Sequence, residues 1–151
     1  MYNVGSIFRT SDGAGCVTKI YLTGMTGYPK RGDPAWTQTA KIAKTSLGAE
    51  KFVDWKYVKD PMKLVEKLKE QGIKIYALEN NIGSDTEDYS KIKYKFPMAL
   101  VVGHEVKGIK SEIIKLADQC IFIPMRGKKE SLNVASAYAI AIYEISKQIN
   151  K

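Results

Sequence analysis

A chain of 151 residues, 44% hydrophobic and 26% charged, has the size and balance of one folded domain with its own core. No apolar run is long enough to span a bilayer, and Met1 to Gly5 lacks the basic-then-apolar pattern of a secretion signal, so a cytoplasmic location is expected. Net charge is +8, almost all of it from lysine beside Arg9, Arg31 and Arg126; this suits a polyanionic partner such as RNA or DNA, although lysine also serves solubility.

Asn3 to Gly13 reads as a short helix, capped by Asn3, with Ile7 as its main apolar contact and Gly13 and Gly15 as its stop. Thr18–Leu22 is β-branched and aromatic, a strand. Gly24–Pro34, with three glycines and two prolines, is a loop that carries the basic pair Lys30-Arg31. Ala35–Ser46 reads as a helix ending near Gly48, and Lys51–Trp55 as a short strand. The next helix is the best marked: Asp60 to cap it, Pro61 at its first position, Gly72 past its end, and Leu64, Val65 and Leu68 as its apolar face. Lys74–Leu78 is a strand, Asn80–Asp88 a polar loop, and Met98–Val102 an apolar run expected of a strand buried on both faces. Ser111–Ala117 is a helix and Cys120–Ile123 a strand. Val134–Ile149 is a last helix with Val134, Tyr138, Ile142, Ile145 and Ile149 toward the core. Strands alternating with helices predict one α/β domain, residues 1–151, with a parallel sheet covered on both faces.

Cys16 and Cys120 lie in apolar surroundings and are expected to be buried free thiols. With a single histidine in the chain, a Cys/His metal cage is not expected. Three other segments carry chemistry. In the first, Asn3 and Arg9 are six residues apart, roughly 120° around a regular helix, so they would flank a site rather than share a face. In the second, a strand ends at Gly103, followed by His104-Glu105 and a turn at Gly108. The glycine spacing is that of a phosphate loop, but Ile109 displaces Lys110-Ser111 and Glu105 would repel phosphate, so that reading is disfavoured. In the third, a strand runs through Ile123-Pro124-Met125-Arg126-Gly127 to a helix start, where Ser131 or Asn133 could serve as cap. Strand ends that open into such loops are where open α/β sheets bind ligands.

Together these segments resemble the three motifs of the SpoU/TrmH-type RNA ribose methyltransferases of the SPOUT class. The first is carried by Asn3, Gly5, Arg9, Thr10, Asp12 and Gly13. The second is carried by Val102, Gly103, Glu105 and Gly108, and the third by Ile123, Pro124, Met125, Gly127, Ser131, Leu132, Asn133 and Val134. The resemblance implies a parallel α/β fold whose C-terminal part forms a deep trefoil knot, and a homodimer. It also implies S-adenosylmethionine as cofactor, walled by Leu78, Glu79, Val102, Gly103, His104, Ile123, Met125, Ser131, Leu132 and Asn133, with no metal required. The implied reaction is methyl transfer to a ribose 2′-hydroxyl of tRNA or rRNA. Arg9 would orient or activate the hydroxyl, Glu105 would fix the active-site network, and Asn3 and Ser131 would support it. Lys30, Arg31, Arg126, Lys128 and Lys129 would meet RNA phosphates. Relatives usually have a further strand and often an RNA-binding domain before the first motif, whereas this chain starts on it; an upstream start or a reduced sheet is expected. Two other readings remain: a non-catalytic RNA-binding module of the same fold, and a nucleotide-binding protein using Gly103 to Gly108.

Overall fold

Helix α1 spans Tyr2–Ala14 and buries Gly5, Phe8 and Ser11, a spacing of three that keeps one stripe turned inward. In the computed structural model, which describes residues 1–29, 38–80, 83, 85–104 and 107–149, the chain divides into two units, Met1–Pro61 and Met62–Lys151. The first unit holds α1, strand β1 (Ile20–Thr23), helix α2 (Gln38–Ser46), a 3-10 turn at Ala49–Lys51 and strand β2 (Trp55–Val58). The expected start of α2, residues 35–37, lies outside the described residues.

The helix begins one residue earlier than expected. The Gly5 N–H donates to the Met1 carbonyl, so Met1 stands at the cap and Asn3 lies inside the helix. Gly13 is likewise helical. The stop is Gly15, left-handed at φ 64°, whose N–H closes on the Ser11 and Asp12 carbonyls. Phe8, not Ile7, is the fully buried contact, packed with Ile20, Leu22, Ile42, Ala49 and Val53. Gly5 lets α1 and α2 touch: a Cβ there would collide with the Thr45 hydroxyl and the Ile42 carbonyl, and would lie 2.9 Å from the Ser46 nitrogen. Thr45 Oγ1 donates across the same gap to the Tyr2 carbonyl at 2.8 Å. Two of the three obstacles are backbone and cannot turn aside. Gly5→Ala is therefore expected to cost about 1–3 kcal/mol in urea denaturation; an unchanged midpoint would show that the helices separate freely.

The strand expected at Lys51–Trp55 starts four residues later. Gly48, at φ 94°, opens the 3-10 turn. The N–H groups of Phe52 and Val53 then both donate to the Ala49 carbonyl, so those residues have no amide left for a ladder. Strand β2 pairs with β1 in parallel, from Ile20 opposite Trp55 to Thr23 opposite Val58. Phe8 meets Trp55 edge-on at 6.3 Å, and Tyr28 stacks on Tyr57 at 4.4 Å.

The second unit holds helix α3 (Pro61–Glu70), β3 (Lys74–Leu78), β4 (Thr86–Asp88), β5 (Met98–Val102), helix α4 (Ser111–Leu116), β6 (Gln119–Phe122) and helix α5 (Val134–Ile149). Its four strands form an all-parallel sheet in the order β4-β6-β3-β5. The expected loop Asn80–Asp88 therefore ends in a strand: Thr86 to Asp88 pair with Cys120 to Phe122, a short polar edge that sequence pattern alone reads as loop. Strand β5 is at the opposite edge and only half-buried, contrary to its apolar composition. The strand buried along most of its length is β3, where Ile75, Tyr76, Ala77 and Leu78 are all covered. Tyr76, Leu78, Ile121 and Ile123 pack against Ala141 and Ile145 of α5. Ala141 has no exposed surface, which brings α5 close to the sheet. Ile149 falls outside the expected stripe, since the last turn of α5 leaves it 41% exposed. Near there Gln148 sews the helix to residues 92–94, donating to the Ile92 carbonyl at 3.0 Å and accepting from the Tyr94 N–H at 3.1 Å.

Both cysteines are free but only half-buried, not buried as expected. Partial burial still pushes both thiols up from their ordinary value, which keeps them protonated.

The start of β3 carries a pH-sensitive contact. The Ile75 N–H donates to Asp118 at 2.9 Å, and Lys69 and Lys74 stand 3.5 and 3.4 Å from the same carboxylate. Burial alone would raise the pKa of Asp118; the amide and the two ammoniums outweigh it and hold the group below its ordinary value. A depressed folded pKa means the stabilisation is whole above the unfolded value of about 3.9 and is lost as pH falls through the folded one. Stability measured by urea should thus drop on acidification through that window, and Asp118→Asn should shrink this part of the drop. An equal acid dependence in both proteins would assign it elsewhere.

Candidate functional site

Because the sheet of the second unit is parallel, its strands all deliver their C-terminal ends to one edge. From β3 the chain moves to β5 on one side and later returns to β6 on the other. Such a reversal leaves a crevice beyond the strand ends. Here it is a cleft of about 210 Å³ lined by Leu78, Glu79, Asn80, Val102, Gly103, His104, Gly108, Ile123, Ser131, Leu132, Val134 and Ala137. Three segments widely separated in sequence converge on it: the end of β3, the loop after β5, and the long connection from β6 to α5. A wider hollow of about 430 Å³ adjoins it, sharing Asn80 and Ile123 and adding Phe122, Met125, Gly127, Lys128, Lys129 and Glu130.

Of the expected cofactor residues, Leu78, Glu79, Val102, Gly103, His104, Ile123, Ser131 and Leu132 all line the cleft. Met125 lines the wider hollow instead. Asn133 plays a different part. Its Oδ1 accepts from the N–H groups of Ala135 at 3.0 Å and Ser136 at 3.4 Å, so it, and not Ser131, caps α5. That leaves the exposed Ser131 hydroxyl free to face the cleft.

The loop after β5 is folded back on itself. The His104 N–H donates to the Gly108 carbonyl at 3.1 Å, and the Gly108 N–H returns to the His104 carbonyl at 2.8 Å. The Ile109 N–H donates to Glu79 Oε2 at 3.1 Å. Gly103 presses on the return limb, where an added Cβ would collide with Gly108 and lie 2.6 Å from the Ile109 nitrogen. Gly108, at φ 63°, lies so near Glu79 that a Cβ would be 2.5 Å from its carboxylate. The amides of residues 104, 108 and 109 are thus spent within the protein, and an acid sits beside them. A phosphate loop offers free N–H groups, and these three amides offer none.

The sequence offered no sign of Asn80, the first residue of an apparent loop. Its side chain accepts from the Ile123 N–H at 3.2 Å and donates to the Ile123 carbonyl at 3.0 Å and to the Glu130 carbonyl at 3.3 Å.

Arg9 and Asn3 lie on α1 in the first unit, Arg9 exposed and Asn3 half-buried. Among the described residues nothing hydrogen-bonds or pairs with the Arg9 guanidinium. Arg126, Lys128 and Lys129 are exposed on the β6–α5 connection. Glu105, Lys30 and Arg31 lie outside the described residues.

Comparison with known proteins follows the same lines. A model of the SpoU rRNA Methylase family matches residues 1–143. The tRNA (guanosine(18)-2′-O)-methyltransferase of Aquifex aeolicus is 32% identical over 148 residues, which is 97% of this chain and 64% of that protein. The protein of the same name from Thermus thermophilus is 33% identical over 147 residues, 97% of this chain and 69% of that one. The crystal structure of an AdoMet-bound rRNA methyltransferase from Sinorhizobium meliloti superposes with a TM-score of 0.84 at 26% identity, covering 98% of this chain and 52% of that one. The chain thus spans between half and about two thirds of the length of these relatives.

Proposed function

The chain belongs to the SpoU rRNA Methylase family, and on that premise we propose that it transfers a methyl group from S-adenosylmethionine to a ribose 2′-hydroxyl of tRNA or rRNA. The observation that carries this reading is the cleft itself, in which the segments matching the second and third motifs meet at parallel strand ends. Its walls fit the cofactor. Leu78, Val102, Ile123, Leu132 and Val134 offer apolar surface, Glu79 and Ser131 offer polar atoms, and Gly103 and Gly108 keep the loop after β5 tightly folded beside them.

When bound, the sulfonium of the cofactor supplies an electrophilic methyl group. A ribose hydroxyl is a poor nucleophile until its proton is shared or lost, so the protein must position it and offset the charge that develops on oxygen. In this reading Arg9 does so as a fixed cation with a planar fork of donors, since arginine keeps its proton. Asn3 and Glu105 support that group, Ser131 faces the cofactor, and Arg126, Lys128 and Lys129, with Lys30 and Arg31, meet RNA phosphates. Exposed cations on the β6–α5 connection support the RNA part of the proposal.

The proposal extends to a trefoil knot and a homodimer acting in the cytoplasm. In support of the knot, β6 lies between β3 and β4, although both precede it in the chain and are joined to each other by residues 79–85. In support of the dimer, α5 leaves Ile140 and Tyr143, one turn apart, exposed.

Binding and transfer test the two halves of the reading. S-adenosylhomocysteine at about 100 times its Kd should stabilise the folded chain by about 2.7 kcal/mol, read as a rise in melting temperature. Tritiated methyl from S-adenosylmethionine should appear on the ribose of tRNA or rRNA. A well-folded sample with no thermal shift would overturn the cofactor assignment. A shift without label on any RNA would favour the non-catalytic module.

A further inference from the structure

The β3–β6 ladder ends where the Glu79 N–H donates to the Ile121 carbonyl at 3.0 Å. The next residue on that side able to pair is Ile123, one past the end of β6. In a longer sheet the backbone of residue 80 would meet it. Here the Asn80 side chain takes that place, one amide accepting from the Ile123 N–H and donating to the Ile123 carbonyl, two bonds that successive peptide groups supply in a parallel ladder. The substitution has a geometric result. Ile123 keeps both hydrogen bonds beyond the end of the β3–β6 ladder, so the ladder stops without stranding a backbone group at that position. The end of the ladder borders the cleft, and Asn80 and Ile123 line both hollows. The same amide nitrogen also reaches the Glu130 carbonyl, which fastens the far end of the β6–α5 connection to its beginning. One residue earlier, Glu79 accepts from the Ile109 N–H and fastens the loop after β5.

We propose that Asn80 is a positioning residue for the cofactor, an amide that stands in for a strand and holds the segment from Ile123 to Glu130 in binding geometry before any ligand arrives. The proposal rests on the methyltransferase reading above. Asn80 is needed for affinity more than for the chemical step, because it orders a wall of the cleft.

Three variants and one ligand-free readout test it. Asn80→Ala should weaken S-adenosylhomocysteine binding by about 10-fold, the scale of one or two partly buried hydrogen bonds lost, and should raise the cofactor KM more than it lowers kcat. In the ligand-free variant the Ile123 amide should exchange with deuterium about 10-fold faster, while the amides of Tyr76 and Ala77 stay protected. Asn80→Asp keeps the acceptor for Ile123 but aims a carboxylate at two carbonyl oxygens. It should bind as poorly as Asn80→Ala near pH 8 and recover, relative to the unsubstituted protein, toward pH 5, roughly where a carboxyl so placed regains a proton to donate. Asn80→Ser, too short to reach both partners, should not rescue. Normal affinity in Asn80→Ala, or an Asn80→Asp whose defect does not change with pH, would overturn the proposal. Should all three variants fail to fold, exchange in the unsubstituted protein decides: an unprotected Ile123 amide without ligand would refute preorganisation, and a protected one would support it. Absence of binding by the unsubstituted protein would instead defeat the cofactor assignment, a different outcome from normal binding by the variants.

Discussion

Arg9→Ala should lower methyl transfer to RNA by about 10²-fold or more, the usual loss when a positioned acid–base or charge-stabilising group is removed. Its affinity for S-adenosylhomocysteine should stay within about 2-fold, because the cleft that would hold the cofactor is built wholly from residues beyond 77. Folding should be unaffected as well. Arg9 is exposed, and no described residue pairs with it, so deletion leaves no buried group unsatisfied. Arg9→Lys should restore little, since an ammonium offers a point charge in place of two parallel N–H donors. Single-turnover transfer measured beside calorimetric affinity separates the possibilities. Full turnover by Arg9→Ala would reduce Arg9 to a surface cation.

Gly103→Ala should be the most damaging single change near the cleft. Its new methyl group would be driven into the Gly108 backbone and the Ile109 nitrogen. Neither can rotate away, and Ile109 is further tied to Glu79. We expect a stability loss of about 1–3 kcal/mol together with S-adenosylhomocysteine binding weakened by at least about 10-fold, because relief requires the loop after β5 to lift off the cleft. Gly127→Ala is the matched control for stability: its Cβ would meet nothing within 4 Å. Thermal denaturation with and without ligand reads both effects. If Gly103→Ala behaves like Gly127→Ala, the two limbs of the loop are not held as tightly as their contact indicates.

The sequence was most legible where one local rule acted alone. Proline at the start and glycine after an apolar stripe gave α3, whose ends fall at Pro61 and Glu70; the bounds expected for β3 hold to the residue, as do those of β5, read from an unbroken apolar run. It misled where two rules compete. Thr86-Glu87-Asp88 is too short and polar to announce a strand, and only its pairing with β6 makes it one. Val53 belongs to an apolar run but is buried by a turn. The apolar residues of β5 predicted a central position, yet that strand is at an edge and the central place went to β3. At the site, spacing between glycines marked the loop after β5, and the displaced lysine and Glu105 already disfavoured phosphate; the hydrogen bonds of the His104, Gly108 and Ile109 amides add a reason that no spacing shows. Asn133 and Ser131 were equivalent caps on paper, and two hydrogen bonds separate them. Asn80 could not have been found from the chain at all, because its partners are 43 and 50 residues away.

The order of strands also sets the order in which the molecule can be made. β3, β4 and β5 leave the ribosome before β6, yet among the described residues β4 has only β6 as a partner in the finished sheet. Until residues 119–122 arrive, β4 lacks its partner strand and the cleft lacks a wall, and α5 must follow to cover Ile121 and Ile123. Contacts so distant along the chain form slowly, because loop-closure entropy is lost before they stabilise anything. The cleft therefore cannot be complete before β6 and the connection to α5 have been made, and a translation arrest before β6 leaves a product with α1 intact and a wall of the cleft missing.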